Sequence, residues 1–275
     1  MLQKEQLLAR LTFRNQQLPR LRSSTTKLVR RSKGGFLYGG YARRLGERPP
    51  QGTKPGAGPS HIPDTSRYSP MSAPDLSAPT ACPWAHQNEL LRAFHDHEWG
   101  ESVAEAGILF EYLVLHTFQL GFDFPVVLKR REGFRELLAN FDPDRLARWG
   151  EDDIAEVMLN PRILRNRRKL EATVQNAQAW LRLRQEVGGD AGLLPFFYAY
   201  VGGRPVDGQR SAAHPAPPFT PASAAMSQDL KRRGFVMTGP VSCYNILQTA
   251  GLVNDHWLSC PRHAECASMT NSFPR

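Results

Sequence analysis

Four side chains of metal-ligand type stand at the two ends of one stretch of the chain: Cys82 and His95 in CPWAHQNELLRAFHDHEWG, His256 and Cys260 in GLVNDHWLSC. Two thiolates and two imidazoles suit a closed tetrahedral site, which favours a structural ion, zinc above all, over a catalytic one with an open position. His256 and Cys260 are spaced i, i+4, which predicts one helical turn carrying both to one ion. Cys82 and His95 are too far apart for one turn. Spacing alone does not separate such a set from ordinary buried Cys and His residues. If the four share an ion, it staples the two ends of a domain together.

The segments around these residues carry more. HDHEWG, FEYLVLHTFQLGF, LKRREGF, LKRRGF and GLVNDH follow one another, and in that order they resemble the Tag family, DNA-3-methyladenine glycosylase I, from about Cys82 to Cys260. The resemblance implies an all-α helix-hairpin-helix DNA glycosylase domain and one structural zinc held by Cys82, His95, His256 and Cys260. It also implies double-stranded DNA containing an alkylated base as the partner. The implied reaction is hydrolysis of the N-glycosidic bond of an alkylated purine such as 3-methyladenine. No lysine in the pocket-like motifs is placed for a Schiff base, so lyase action is not expected.

A glycosylase extrudes its target nucleotide and holds the flipped base by stacking and by hydrogen bonds to its edge. Aligned with the family, His116 takes the place of a glutamate on the central helix, Phe124 that of a tryptophan, and Phe94 that of a tyrosine. The resemblance thus assigns His116 the catalytic position and Phe94, Phe124 and Gln119 base-binding ones; Trp84 and Trp99 are further base-binding candidates, since both lie beside the presumed zinc ligands. A carboxylate only accepts hydrogen bonds and attracts a cationic base, whereas a neutral imidazole both donates and accepts. A changed lesion preference is expected. The other reading of His116 is a core histidine, since Leu109, Leu113, His116 and Leu120 share one helical face. Trp84 and Trp99 could equally be core residues. Asp96 and Asp255, beside the two histidines, are candidates to accept imidazole N–H bonds or to cap helices.

The elements that must position these residues read as helices separated by clear stops. GILFEYLVLHTFQLG is apolar nearly all round and closes at Gly121, as a buried central helix would. FDPDRLARWG opens with Asp142 as N-cap and Pro143 at the first helical position. EDDIAEVMLN places acids in its first turn and breaks before Pro161. A longer helix runs through RNRRKLEATVQNAQAWLRLRQEV to Gly188–Gly189, and PVSCYNILQTAG forms another, from Pro240 to Gly251. Gly202 to Ser223 is proline-rich and reads as a long surface loop.

EDDIAEVMLN and ILRNRRKL across a short break suit a helix-hairpin-helix, whose second N-terminus offers unpaired N–H donors to a phosphate. Arg165, Arg167, Arg168 and Lys169 are the DNA-binding candidates there, with a solvated basic face as the other reading. Arg162 stands where the family usually carries glycine. The Lys129–Arg131 and Lys231–Arg233 clusters face either DNA or water.

The net charge of +9 is unevenly placed: residues 1–80 hold 14 Lys and Arg against 4 Asp and Glu, which leaves −1 for the rest. Any DNA-binding face is therefore a local patch. Residues 1–78, rich in Arg, Ser, Gly and Pro, are expected to be a disordered basic tail. It is either transit-like, which would allow organelle targeting, or an over-extended gene start with Met71 as the native one. The domain is expected over 79–266 with a C-terminal tail over 267–275. Cys82, Cys243, Cys260 and Cys266 are too few for a disulfide scaffold at this length, and Cys paired with His points to metal in a reducing compartment. No stretch is long and apolar enough to span a membrane. A monomeric, cytoplasmic, nucleoid-associated bacterial protein is expected. Two other functions stay open: a catalytically impaired, damage-sensing DNA-binding protein, and a structural zinc protein whose pocket takes a small molecule.

Overall fold

In a computed structural model of the chain, residues 82–269 are described; the basic tail of 1–78 and the last six residues fall outside them. The order is a 3-10 turn at Pro83–Gln87, then α1 (Glu89–His97), α2 (Ala106–Gln119), α3 (Phe124–Leu128) and α4 (Arg131–Leu137). Next come α5 (Pro143–Leu146), α6 (Glu151–Leu159), α7 (Arg167–Glu186), α8 (Asp190–Tyr198) and β1 (Val206–Asp207). α9 (Pro221–Arg232), α10 (Pro240–Thr249), β2 (Val253–Asn254) and α11 (Pro261–Met269) complete it. The fold is mostly helical, and no helix among the described residues is long and apolar enough to cross a membrane.

α2 is the hub. Leu109, Phe110 and every residue from Tyr112 to Phe118 are buried, because the helix is surrounded by α3, α7, α8 and α10. Gly121 ends it at φ +78°, a left-handed conformation that costs other residues more, and the chain turns back so that Phe124 begins α3. The predicted caps form: the Asp142 carboxylate accepts from the Asp144 and Arg145 N–H groups, at 2.8 and 3.4 Å. α5 is shorter than its segment suggested and ends at Leu146.

Three expectations need correction. The Gly202–Ser223 stretch is not all loop: Val206 and Asp207 pair in parallel with Val253 and Asn254, and Pro221 opens α9 with Ser223 fully buried. A two-residue strand is too short to show alternation, and Pro is favoured at a helix N-terminus. His256 and Cys260 do not share a helical turn; they lie in the turn between β2 and α11, tightened by the Cys260 N–H bond to the Trp257 carbonyl at 2.7 Å. The C-terminal tail expected from residue 267 is helical as far as Met269.

The hairpin of α6 and α7 forms with Arg162 in place of glycine. Arg162 is not among the residues at positive φ; its N–H bonds Asn160 Oδ1 at 3.0 Å and its guanidinium pairs with Glu136. An ordinary backbone conformation at this position removes the need for glycine.

Candidate metal cluster and aromatic pocket

Cys82, His95, His256 and Cys260, all buried, bring one ligand atom each to within 4.8 Å of one another. Cys82 precedes the 3-10 turn, His95 lies on α1, and the other two come from the β2–α11 turn. The Sγ–N separations are 3.7 Å from Cys82 to His256, 3.7 Å from Cys260 to His256 and 3.6 Å from Cys260 to His95. Metal–sulfur and metal–nitrogen bonds of about 2.3 and 2.0 Å at tetrahedral angles place such atoms about 3.5 Å apart.

The partners of the two imidazoles make the stronger case. His95 Nδ1 lies 2.7 Å from Asp96 Oδ1 and His256 Nε2 lies 2.9 Å from the Trp99 carbonyl oxygen. Both partners are acceptors, so each of those nitrogens carries the proton and the opposite nitrogen presents a lone pair. These lone pairs, on His95 Nε2 and His256 Nδ1, face each other at 3.0 Å. No proton remains to join them, whereas a cation between them satisfies both. The Trp257 N–H also donates to Cys82 Sγ at 3.3 Å. The hydrogen bond between the two thiols, and then burial, push Cys82 upward; the same bond draws Cys260 below the ordinary thiol range.

Surrounding residues fix the ligands. Asp96 receives Arg92 Nε at 3.1 Å while holding His95. Gly100 adopts φ +85°, and a Cβ there would lie 2.8 Å from His256 Nε2, so the glycine of HDHEWG is required by both backbone and space. Asp255 does not accept from an imidazole as its neighbour position suggested. The parallel strand pair and the Leu258 N–H bond to the Arg210 carbonyl at 2.8 Å run the 206–210 segment along the ligand turn. Arg210 Nε thereby meets Asp255 at 2.8 Å, and Gln248 at 2.7 Å and Tyr244 also donate to that carboxylate. Cys266 is buried and lies outside the ligand set; burial pushes its thiol up to about 11.

Beside the cluster opens a cleft of about 930 Å³ whose walls include Trp84, Phe94, Trp99, His116, Gln119 and Phe124, so all six pocket residues singled out in the sequence meet at one place. Trp84 and Trp99 pack edge to face, with centroids 4.9 Å apart, and each also touches His95. They form a wall shared by cleft and cluster. Phe94 meets Phe124 edge-on at 5.2 Å, and Phe124 lies parallel to the His116 ring at 5.0 Å.

His116 is buried yet fully hydrogen-bonded. Its Nδ1 lies 2.7 Å from Gln119 Oε1 and its Nε2 lies 2.9 Å from Thr249 Oγ1. The ring N–H therefore donates to the amide oxygen and the threonine hydroxyl donates to the ring. Burial pulls its pKa down to about 4, against a smaller upward pull from Gln119, so the ring is neutral at physiological pH. Asn245, Gln248 and Thr249 also line the cleft and were not singled out in the sequence. Their signal was present: three polar residues at i, i+3 and i+4 on an otherwise apolar helix share one face.

The basic residues divide. Arg165 and Arg168 are exposed at the hairpin, and Arg167 pairs with Glu151. Lys169 is corrected: it is 4% exposed, and its ammonium donates to the carbonyls of Phe118, at 2.6 Å, and Leu120. It caps the C-terminal end of α2, where unpaired carbonyls and the helix dipole favour a cation, and burial lowers its pKa. Arg131 turns inward to Glu98 and Glu111, and Arg233 pairs with Glu186 and Asp229.

The family model described as methyladenine glycosylase matches residues 84–263. DNA-3-methyladenine glycosylase from Haemophilus influenzae is 37% identical over 182 residues, 66% of this chain and 97% of that protein. DNA-3-methyladenine glycosylase 1 from Escherichia coli is 36% identical over 179 residues, 65% of this chain and 94% of that protein. The structure of 3-methyladenine DNA glycosylase I from Staphylococcus aureus, described as showing how that enzyme recognises 3-methyladenine, superposes with a TM-score of 0.63 at 32% identity. That match covers 66% of this chain and 95% of the other.

Proposed function

The chain belongs to the methyladenine glycosylase family, and on that premise we propose that it is a DNA repair glycosylase that hydrolyses the N-glycosidic bond of an N3-alkylated purine in double-stranded DNA. The observation that carries this reading is the gathering of Trp84, Phe94, Trp99 and Phe124 around the polar group His116–Gln119–Thr249 in one cleft. Rings for stacking and a few fixed hydrogen-bonding atoms are what a flipped base needs.

Alkylation makes the purine a cationic leaving group. The C1′–N9 bond breaks with its electrons passing to the base, which departs neutral; water oxygen bonds to C1′ and a proton is released. Residues of the cleft bind and orient the base and exclude bulk water. With both ring nitrogens engaged, His116 is read as positioning Gln119 and supporting Phe124, in place of the proton-transfer role that a free imidazole could take. No lysine among the described residues lines the cleft, which supports hydrolysis without lyase action. The α6–α7 hairpin is read as the DNA backbone contact, through the N-terminus of α7 with Arg165 and Arg168.

The cluster of Cys82, His95, His256 and Cys260 is read as one structural zinc. Two thiolates and two imidazoles close a tetrahedral shell and leave no coordination position for water or substrate. When bound, the ion supplies a crosslink between the α1 region and the β2–α11 turn.

The test is a mass-spectrometric survey of free bases released from methylated duplex DNA by the purified protein. Release of an N3-methylated purine is expected. DNA binding without any base release would favour the damage-sensing alternative.

A further inference from the structure

The hydrogen bonds behind His116 run in one direction. Thr249 Oγ1 donates to His116 Nε2 at 2.9 Å, and His116 Nδ1 donates to Gln119 Oε1 at 2.7 Å. Asn245 Nδ2 reaches the same oxygen at 3.4 Å. A carbonyl oxygen has two lone pairs, and here both are occupied from inside the protein. Gln119 is partly exposed and lines the cleft, so what it offers a bound base is its amide N–H groups.

An N–H donor fixed by two internal bonds discriminates between base edges. Adenine presents one acceptor, N7, beside the N6 amino donor; guanine presents two adjacent acceptors, N7 and O6. An amino group facing the Gln119 N–H groups leaves both unpaired, and buried polar groups without partners are strongly disfavoured. A carboxylate in the position of His116 would favour the opposite edge, because it can only accept.

We propose that Gln119, locked by His116 and Asn245 as a hydrogen-bond donor, makes the cleft select N3-alkylated guanine over N3-alkylated adenine. This inference rests on the glycosylase reading for its substrate class but concerns binding, which can be measured apart from catalysis.

The experiment titrates the intact protein with free 3-methylguanine and free 3-methyladenine by calorimetry, and in parallel measures release of both bases from methylated DNA. The guanine is expected to bind about tenfold more tightly, the scale of one discriminating hydrogen bond. Gln119→Glu, which replaces the donor by an acceptor of the same shape, is expected to reverse the preference, and Gln119→Met to abolish it. Thermal melting of both variants reports their folding. Tighter binding of 3-methyladenine by the wild type, an unchanged ratio in a folded Gln119→Glu protein, or binding of neither base would overturn the inference. The binding preference without release of either base from DNA would support the inference while contradicting catalysis. Release of 3-methyladenine in preference, with matching free-base affinities, would contradict the inference and leave the glycosylase reading standing.

Discussion

The Cys/His cluster and the aromatic cleft share a wall, Trp84 and Trp99, yet they are built on opposite principles. In the cluster, three of the four side chains are fixed by a dedicated partner: Asp96 for His95, the Trp99 carbonyl for His256, the Trp257 N–H for Cys82. Its geometry has a single solution, because a displaced ligand leaves lone pairs facing one another. The cleft is bounded by apolar rings that tolerate substitution and by a polar group whose members can exchange donor for acceptor. Phe in place of Tyr or Trp keeps the stacking surface, and His116 with Gln119 keeps a continuous hydrogen-bond chain while changing what it presents. A crosslink is constrained by all its ligands at once, whereas a recognition site can be retuned one atom at a time.

The largest effect should come from disrupting the cluster. A structural zinc contributes on the order of 10 kcal/mol, comparable with the whole net stability of a domain, about 5–15 kcal/mol. His256→Ala and Cys260→Ala are each expected to lose stoichiometric zinc and the cooperative thermal transition. Retention of one zinc per chain in both variants, measured by elemental analysis, would refute the ligand set.

A smaller effect should follow pH through His116. Its folded pKa of about 4 lies below the ordinary value of 6.5, so between these limits the unfolded chain binds the extra proton. Stability is therefore fully present above about 6.5 and falls as pH drops toward 4, by about 3 kcal/mol in total. Denaturant titrations at a series of pH values should show a shallower loss in His116→Gln than in the wild type. Parallel curves would mean that the imidazole is not held neutral by burial.

Smaller still are the effects that separate Lys169 from its neighbours. Lys169→Met should cost about 2 kcal/mol, since it leaves the α2 carbonyls without their charged donor, and should leave the salt dependence of DNA binding unchanged. Arg165→Ala and Arg168→Ala should do the reverse, each lowering the slope of log affinity against log salt by about 0.9 if it meets one phosphate. A Lys169→Met protein with unchanged melting and a reduced salt slope would return the residue to the DNA face.

Much of this architecture was legible in the sequence. Gly121, Asp142 and Pro240 marked helix limits through local backbone preferences, and the ordered motifs brought into view both the four Cys and His side chains that gather in one cluster and the six residues that line the cleft. What escaped depends on contacts distant in the chain. The β1–β2 pair joins segments 47 residues apart and has no pattern of its own, so the seating of Arg210 on Asp255 could not be read. Lys169 follows Arg165, Asn166, Arg167 and Arg168 and looked like part of the same charged face, though Leu170 and Thr173 beside it mark the buried side of α7. The i, i+4 spacing of His256 and Cys260 suggested a helix because that period brings side chains together; a tight turn did so instead.

The central claim is that the cluster governs folding while the polar group at His116 governs base choice. The direct measurement is a paired assay of 3-methyladenine release by the wild type and His116→Glu, with zinc content and melting temperature recorded on the same samples. A carboxylate at that position adds a charge-assisted acceptor for a cationic adenine, and release is expected to rise by about tenfold or more, with one zinc per chain in both proteins. Equal release by two folded, zinc-replete proteins would contradict the account and leave His116 as a core residue.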